Sequence, residues 1–515
     1  MQHVLLTGAA VLTMALAASP AMAADCRDLA ALKLHNVSIS NAEAQSAQTL
    51  PADPMSAMTG AAPRETQVGE HCLVEGKIDD RQGVGGRYGI RFQIRMPKDW
   101  NGRFLFQGGG GTDGFLALAV GLIPSTGSTA KPAIRRGYAV VSMDGGHAQP
   151  NLDFAKDQQA RLDLGYAAIG KVSDTAKALI RAFYGKGPSE SYFMGCSNGG
   201  REAMQAAMRF PTEFDGIVAG NPGFHLSHAA IGSVWNLRQF QRIAPDGELW
   251  RALTPADLNV VAAEVTKQCD ALDGVRDGIV AAFGQCRFDP KALRGKLSKA
   301  KLDALVAVMN GAHDAAGNPV YASWPWDPGI GAPGWRAWML GTKERPAMNQ
   351  SLSAPSTGQL FLTPPRDVAA SPDYAALARD VAQVGGYFDA NHTFLSTFAS
   401  RGGKMIVFQG AADPIFSAND ITQWQAAVSA DTGPDVSRLF VVPGMNHCGG
   451  GPAFDDFDPL TLLEQWRETG TAPEHMPAKA PTMPDRAMPI CAFPAYARYT
   501  GGDRNAAGSY TCARS

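Results

Sequence analysis

Residues 193–201 read FMGCSNGGR, and residues 443–451 read PGMNHCGGG. The first stretch holds a serine inside G-x-S-x-G (Gly195-Cys196-Ser197-Asn198-Gly199), after the strand-like ESYFM and before the helix-like REAMQAAM. Such a serine sits on a sharp strand-to-helix turn that exposes its hydroxyl, and the flanking glycines remove side chains that would clash there. An incidental serine in a glycine turn is the plainer alternative, but strand, turn and helix in that order are what the catalytic motif requires. The serine needs a base, and the base needs an acid to orient it. In this type of site they follow in the order Ser, Asp or Glu, His. Asp413, behind the strand-like MIVFQG, and His447, behind LFVVPG, keep that order. His225 and His228 in FHLSH compete by residue type. His147 in MDGGH precedes the serine and is read as structural or as a neighbour of the pocket.

Acyl transfer also needs two backbone N–H groups aimed at the developing oxyanion. Asn198, directly after the serine, supplies one, and Gly110 or Gly111 of QGGGGTDG supplies the other. A phosphate loop is the rival use of these glycines, but no G-K-[ST] follows them.

Cys196 precedes the serine and Cys448 follows the histidine. If His447 touches Ser197, these cysteines are brought close as well, and a disulfide needs Cα atoms only about 4.4–6.8 Å apart. The eight cysteines lie at 26, 72, 196, 269, 286, 448, 491 and 512, with no C-x-x-C among them. An even count in an exported chain favours disulfides over metal thiolates. With Cys196–Cys448 fixed, nearest neighbours suggest Cys26–Cys72, Cys269–Cys286 and Cys491–Cys512.

The elements that must position these residues alternate. Strand-like and helix-like pieces follow one another from about 67 to 224 and again from about 401, the pattern of an α/β sheet. Between them, residues 225–400 are rich in Trp, Pro and Gly. The expectation is an α/β-hydrolase fold, residues 24–224 and 401–515, interrupted by a large lid domain at 225–400. Residues 1–23 read as a secretory signal, an apolar run closed by Ala21-Met22-Ala23, which predicts a secreted or periplasmic protein. Hydrophobic residues make up 45% and charged residues 18%, which fits a globular chain. The net charge of -2, with no dense basic run, argues against a nucleic-acid partner. No second apolar stretch is long enough to span a membrane.

Together QGGGGTDG, GCSNGGR, RGGKMIVFQGAADP, VPGMNHCGGG and ICAFPAYARYTG resemble the tannase/feruloyl esterase family of α/β hydrolases over most of the mature chain. The resemblance implies hydrolysis of esters of aromatic acids such as gallate and ferulate, with no organic cofactor. Bacterial hydrolases of mono(2-hydroxyethyl) terephthalate resemble the same family. In that branch an aromatic residue three positions after the catalytic Asp stacks on the substrate, and DPIF places Phe416 there. The branch commonly has Glu after the serine, where this chain has Asn198. Aromatic and basic side chains in WPW, RAWML and FLTPPRD are candidates to grip a ring and a carboxylate or phenol.

CDALDGVRDGIV adds Asp270, Asp273 and Asp277 on a glycine-containing loop, with the carbonyls of Val275 and Ile279 beside them. Hard cations want several oxygens on a tightly turning backbone, and the resemblance implies a structural calcium there. An acidic turn held by Cys269–Cys286 is the alternative. A noncatalytic, calcium-dependent binding module with a vestigial site is the reading of a different class, and a serine peptidase is a third.

Overall fold

The structure is a computed structural model that describes residues 25–514; the signal-like residues 1–23 lie outside them. One nine-stranded sheet organises the chain. In chain order its strands are β1 (Val37–Gln45), β2 (His71–Gly83), β3 (Gly86–Pro97), β4 (Arg103–Gln107), β5 (Ala139–Met143), β6 (Glu190–Cys196), β7 (Gly216–Gly220), β8 (Lys404–Gly410) and β9 (Ser437–Val442). Their order across the sheet is β1-β2-β3-β5-β4-β6-β7-β8-β9. The first three pair antiparallel, and from β5 onward every pair is parallel.

Parallel strands are covered on both faces, so they read as nearly continuous apolar runs, and VVS, YFM, IVA and MIVF do. One face packs Phe106, Phe193 and Val407 against helices α1 (Ala168–Tyr184), α2 (Asn198–Arg209) and, later in the chain, Ala418–Asp431. The other face packs Tyr192, Val218, Phe408 and Phe440 against Leu463 and Trp466 of the helix Pro459–Thr469 and against the C-terminal segment. That segment holds the strands His475–Lys479 and Ala487–Cys491 and a hairpin of Tyr496–Tyr499 with Tyr510–Ala513.

β7 and β8 are neighbours in the sheet although residues 221–403 separate them. This stretch is helical: α3 (Leu226–Gln241), α4 (Pro255–Cys269), α5 (Lys299–Met309), α6 (Pro333–Met339) and α7 (Tyr374–Phe388) precede α8 (Ala418–Asp431). α4 starts at a reciprocal cap between Thr254 and Asp257, with Pro255 in its first turn. The helices share a core of their own, Phe240, Val261, Leu305 and Trp335, which runs on into Ile415 and Phe416 just after β8. The insertion is therefore packed onto the loop that carries Asp413.

All eight cysteines are paired, Cys26–Cys72, Cys196–Cys448, Cys269–Cys286 and Cys491–Cys512. No helix among the described residues is long and apolar enough to cross a membrane.

Candidate active site

Ser197, Asp413 and His447 lie beyond the carboxyl ends of β6, β8 and β9 and meet in space. His447 Nε2 is 2.9 Å from Ser197 Oγ, and His447 Nδ1 is 2.9 Å from Asp413 Oδ2. The turn at Ser197 is strained: its φ of 61° and ψ of -122° lie where only glycine is comfortable. The motif glycines are required by close approach. A Cβ on Gly195 would stand 2.6 Å from the carbonyl of Gly199, and one on Gly199 would stand 2.6 Å from the Gly109 oxygen. Cys448, Asn221 and Asp113 also have positive φ, 57°, 36° and 47°, so four non-glycine residues around one site hold unfavourable backbone.

Asp413 is buried and saturated with donors. Its Oδ1 accepts the N–H groups of Ile415 and Phe416 at 2.8 and 3.1 Å. Its Oδ2 accepts the side-chain amides of Asn221 at 2.7 Å and Gln409 at 3.1 Å beside the imidazole. These bonds fix the face the carboxylate shows His447. Cys196 and Cys448 have Cα atoms 6.1 Å apart, so the disulfide joins the turn of the serine to the loop of the histidine.

The oxyanion donors need one correction. Gly110 N–H donates to Asp113 Oδ1 at 2.9 Å, and Gly110 does not line the pocket. Gly111 and Asn198 do line it, and neither N–H has an acceptor among the described residues. Sequence reasoning missed what holds this wall. The Asn198 amide donates to Asp113 Oδ1 at 2.9 Å and to Glu202 Oε1 at 3.2 Å, while Glu202 Oε2 accepts Gly109 N–H. Both acids are fully buried. Burial, then the charge of Glu202, pushes Asp113 well above the ordinary carboxylate range, and burial pushes Glu202 up as well. Asp113 Oδ2 is buried and has no hydrogen-bond partner among the described residues. The signal was in the sequence: the Asp of GGGGTDG and the Glu of GGREA lie within a few residues of the candidate donors.

The pocket over Ser197 has a cavity volume of about 190 Å³ and opens to solvent. Leu226, Trp338, Phe361, Ile415 and Phe416 form its walls. Trp338 and Phe416 put their rings 5.0 and 5.4 Å from the His447 ring, both T-shaped. Among the described residues, no Lys, Arg, Asp or Glu lines it. Of the candidate gripping segments, RAWML contributes Trp338 and FLTPPRD contributes Phe361. Their arginines turn elsewhere: Arg336 donates to the Leu253 and Trp250 carbonyls, and Arg366 pairs with Asp380.

The acidic loop lies away from this pocket. Asp270 accepts Gly278 N–H at 3.0 Å, and Asp273 accepts Val275 and Ala281 N–H at 3.2 and 3.1 Å. Asp277 pairs with Arg486 and accepts from Tyr510 at 3.2 Å. Burial, aided by the charges of Asp277 and Asp270, raises Asp273 to about 7. The carbonyls of Val275 and Ile279 accept no hydrogen bond among the described residues. Among the described residues the three carboxylates do not bring a ligand atom each within 4.8 Å of one another, and Arg486 engages Asp277, so the free carbonyls of Val275 and Ile279 are what the loop offers a hard cation.

The family described as tannase and feruloyl esterase matches residues 72–513. The chain is 36% identical to a mono(2-hydroxyethyl) terephthalate hydrolase of Piscinibacter sakaiensis, over 90% of this chain and 87% of that protein. It is 29% identical to a probable feruloyl esterase of Arthroderma benhamiae, over 84% of each chain. In fold it is similar to the crystal structure of feruloyl esterase B from Aspergillus oryzae, with a TM-score of 0.77, 22% identity, and coverage of 94% of this chain and 98% of that one. With the family match running over nearly the whole described chain, this protein belongs to the tannase and feruloyl esterase family and is a carboxylic ester hydrolase.

Proposed function

We propose that the chain is an exported serine esterase that cleaves esters of uncharged aromatic acids, of the feruloyl or galloyl kind. The observation that carries this reading is the apolar, cation-free pocket above Ser197. Leu226, Phe361 and Phe416 would hold a ring, and the hydroxyl-bearing Ser233 and Ser353 give a phenol polar neighbours. In the reaction Ser197 Oγ attacks the ester carbonyl while His447 Nε2 takes its proton. His447 then returns that proton to the leaving alcohol, with Asp413 holding Nδ1–H. Gly111 and Asn198 N–H receive the oxyanion. Water, activated by His447, then releases the acid and regenerates Ser197. Export to the periplasm or beyond belongs to the same reading, supported by four disulfides. A structural calcium held by Asp270, Asp273, Asp277 and the carbonyls of Val275 and Ile279 belongs to it as well, supported by the free carbonyls.

The relative from Piscinibacter sakaiensis favours a second reading, the terephthalate monoester, whose free carboxylate would enter the pocket without a cation. An unpaired charge in apolar surroundings costs several kcal/mol, and each 1.4 kcal/mol is about tenfold. Methyl ferulate or methyl gallate should therefore exceed mono(2-hydroxyethyl) terephthalate in kcat/KM by about tenfold or more. Initial rates measured side by side decide it, and faster cleavage of the monoester would transfer the relative's activity to this chain. Ser197→Ala should lose nearly all turnover on every substrate. Turnover above a tenth of the wild-type value would remove Ser197 from its role.

A further inference from the structure

Among the described residues, one group of three or more His, Cys, Asp and Glu side chains brings a ligand atom of each within 4.8 Å of the others: His225, His228 and Asp389. It is separate from the acidic loop and from the triad. His225 directly precedes α3 and His228 lies in its first turn, so the i, i+3 spacing sets the imidazoles side by side, ring centres 4.3 Å apart. Asp389 directly follows α7. Its carboxylate is held in place by Ser227, which donates its N–H to Oδ1 at 2.9 Å and its hydroxyl to Oδ2 at 2.6 Å. Ser227 Oγ also lies 3.2 Å from His228 Nδ1, so one residue positions two members of the cluster. Behind His225 stands Asp420 of α8. Its Oδ2 is 3.5 Å from His225 Nδ1 and is buried without a hydrogen-bond partner. A carboxylate backing a histidine is the usual outer support of a metal-bound imidazole.

We propose that His225, His228 and Asp389 bind a divalent transition-metal ion of the zinc type, with water in the fourth position. Two imidazoles and one carboxylate suit such a borderline ion better than calcium. Tetrahedral ligands at about 2.1 Å from a metal stand about 3.4 Å from one another. The ligand atoms, all within 4.8 Å of one another, need approach by no more than about 1.4 Å to close onto an ion. Both histidines are partly exposed, which leaves an entry path. The location gives the ion a job. His225 and His228 stand where the chain leaves β7 for the insertion, and Asp389 stands where it heads back to β8. The ion therefore clamps the entry and exit of the insertion, beside Leu226 and Phe388 of the pocket wall.

The test uses the full chain, stripped with a chelator, resupplied with calcium, exposed to zinc chloride and gel-filtered. The wild type should keep about one zinc per chain. His228→Gln and Asp389→Asn should each keep less than a tenth of that, with circular dichroism checking their fold, while His447→Gln should keep it all. Zinc should raise the melting temperature of the wild type and not of His228→Gln. No retained zinc in the wild type, or zinc retained equally by the folded cluster variants, overturns the proposal, and so does its loss in His447→Gln. If the cluster variants fail to fold, anomalous scattering from zinc-soaked wild-type crystals decides: a peak among the three side chains supports the site, and its absence removes it.

Discussion

At Ser197, Asp413 and His447 the sequence was readable because each chemistry-bearing residue ends a strand of obvious apolar character, and the motif order assigned the rest. Phe416 too faces the imidazole, at 5.4 Å. What stayed hidden are side chains whose partners are distant in sequence. Asn221 and Gln409 hold Asp413 through bonds that no local pattern announces, and Gly110 was inseparable from Gly111 until Asp113 was seen to take its N–H. The Asp113–Glu202 pair also explains Asn198: its amide bridges both acids, whereas Glu there would set a third carboxyl against them. Folded Asp113 keeps a proton that the unfolded chain gives up, because burial and Glu202 raise its pKa. Its contribution to stability is thus full below the unfolded pKa and is lost as pH rises toward the folded one. Asp113→Asn substitutes a neutral near-isostere whose amide can donate to Glu202. Denaturant titrations from mildly acidic to alkaline pH should show the variant losing less stability than the wild type as pH rises. Identical slopes would place the proton elsewhere.

Among the elements, buried parallel strands and capped helices were the legible ones. MIVFQG, SRLFVV and TPADLNVVAAEVTKQC appear as β8, β9 and α4. β1 was not legible, since VSISNAEAQ is an exposed edge strand whose hydrophobic alternation is broken where its register shifts between Ile39 and Asn41. Nor were most insertion helices, because a helix packed among other helices shows no clean apolar stripe. The disulfide between Cys196 and Cys448 acts at this scale, joining the β6–α2 turn to the β9 loop across 252 residues. Closing so long a loop contributes on the order of 5–6 kcal/mol in chain-entropy models, from which native strain subtracts. Because the bond touches both Ser197 and His447, misplacement by about 1 Å on its loss costs on the order of a hundredfold in rate. The double variant Cys196→Ala/Cys448→Ala should lower kcat far more than it raises KM, and should also lower the melting temperature. Cys491→Ala/Cys512→Ala, remote from the triad, should lower the melting temperature with kcat nearly unchanged. A wild-type kcat in the first variant would reduce its disulfide to a stability device.

For the whole molecule, the acidic loop is better described as a seam than as part of a lid interior. It follows α4, yet Ile279 and Ala281 belong to the apolar core shared with β8, β9 and the C-terminal strands. Asp277 reaches Arg486 and Tyr510, and Gly274 lies against the Tyr499 carbonyl. A cation there would tie the insertion to the C-terminal segment, which the Cys491–Cys512 disulfide already braces. Without the ion, the buried Asp270 and Asp273 stand near Asp277 with backbone N–H groups, Arg486 and the Tyr510 hydroxyl to offset their charge. An ion that binds only the folded state stabilises it by mass action. Chelation should therefore lower the melting temperature by several degrees, calcium should restore it, and Asp273→Asn should abolish the response. Hydrogen exchange should rise first in 270–286 and in Tyr496–Ala513, on both sides of the seam, before it rises in the central strands. If exchange rose only within α3–α7 while the C-terminal hairpin stayed protected, the ion would serve the insertion alone. If chelation changed neither melting nor exchange, the loop would be an acidic turn held by Cys269–Cys286 and Arg486.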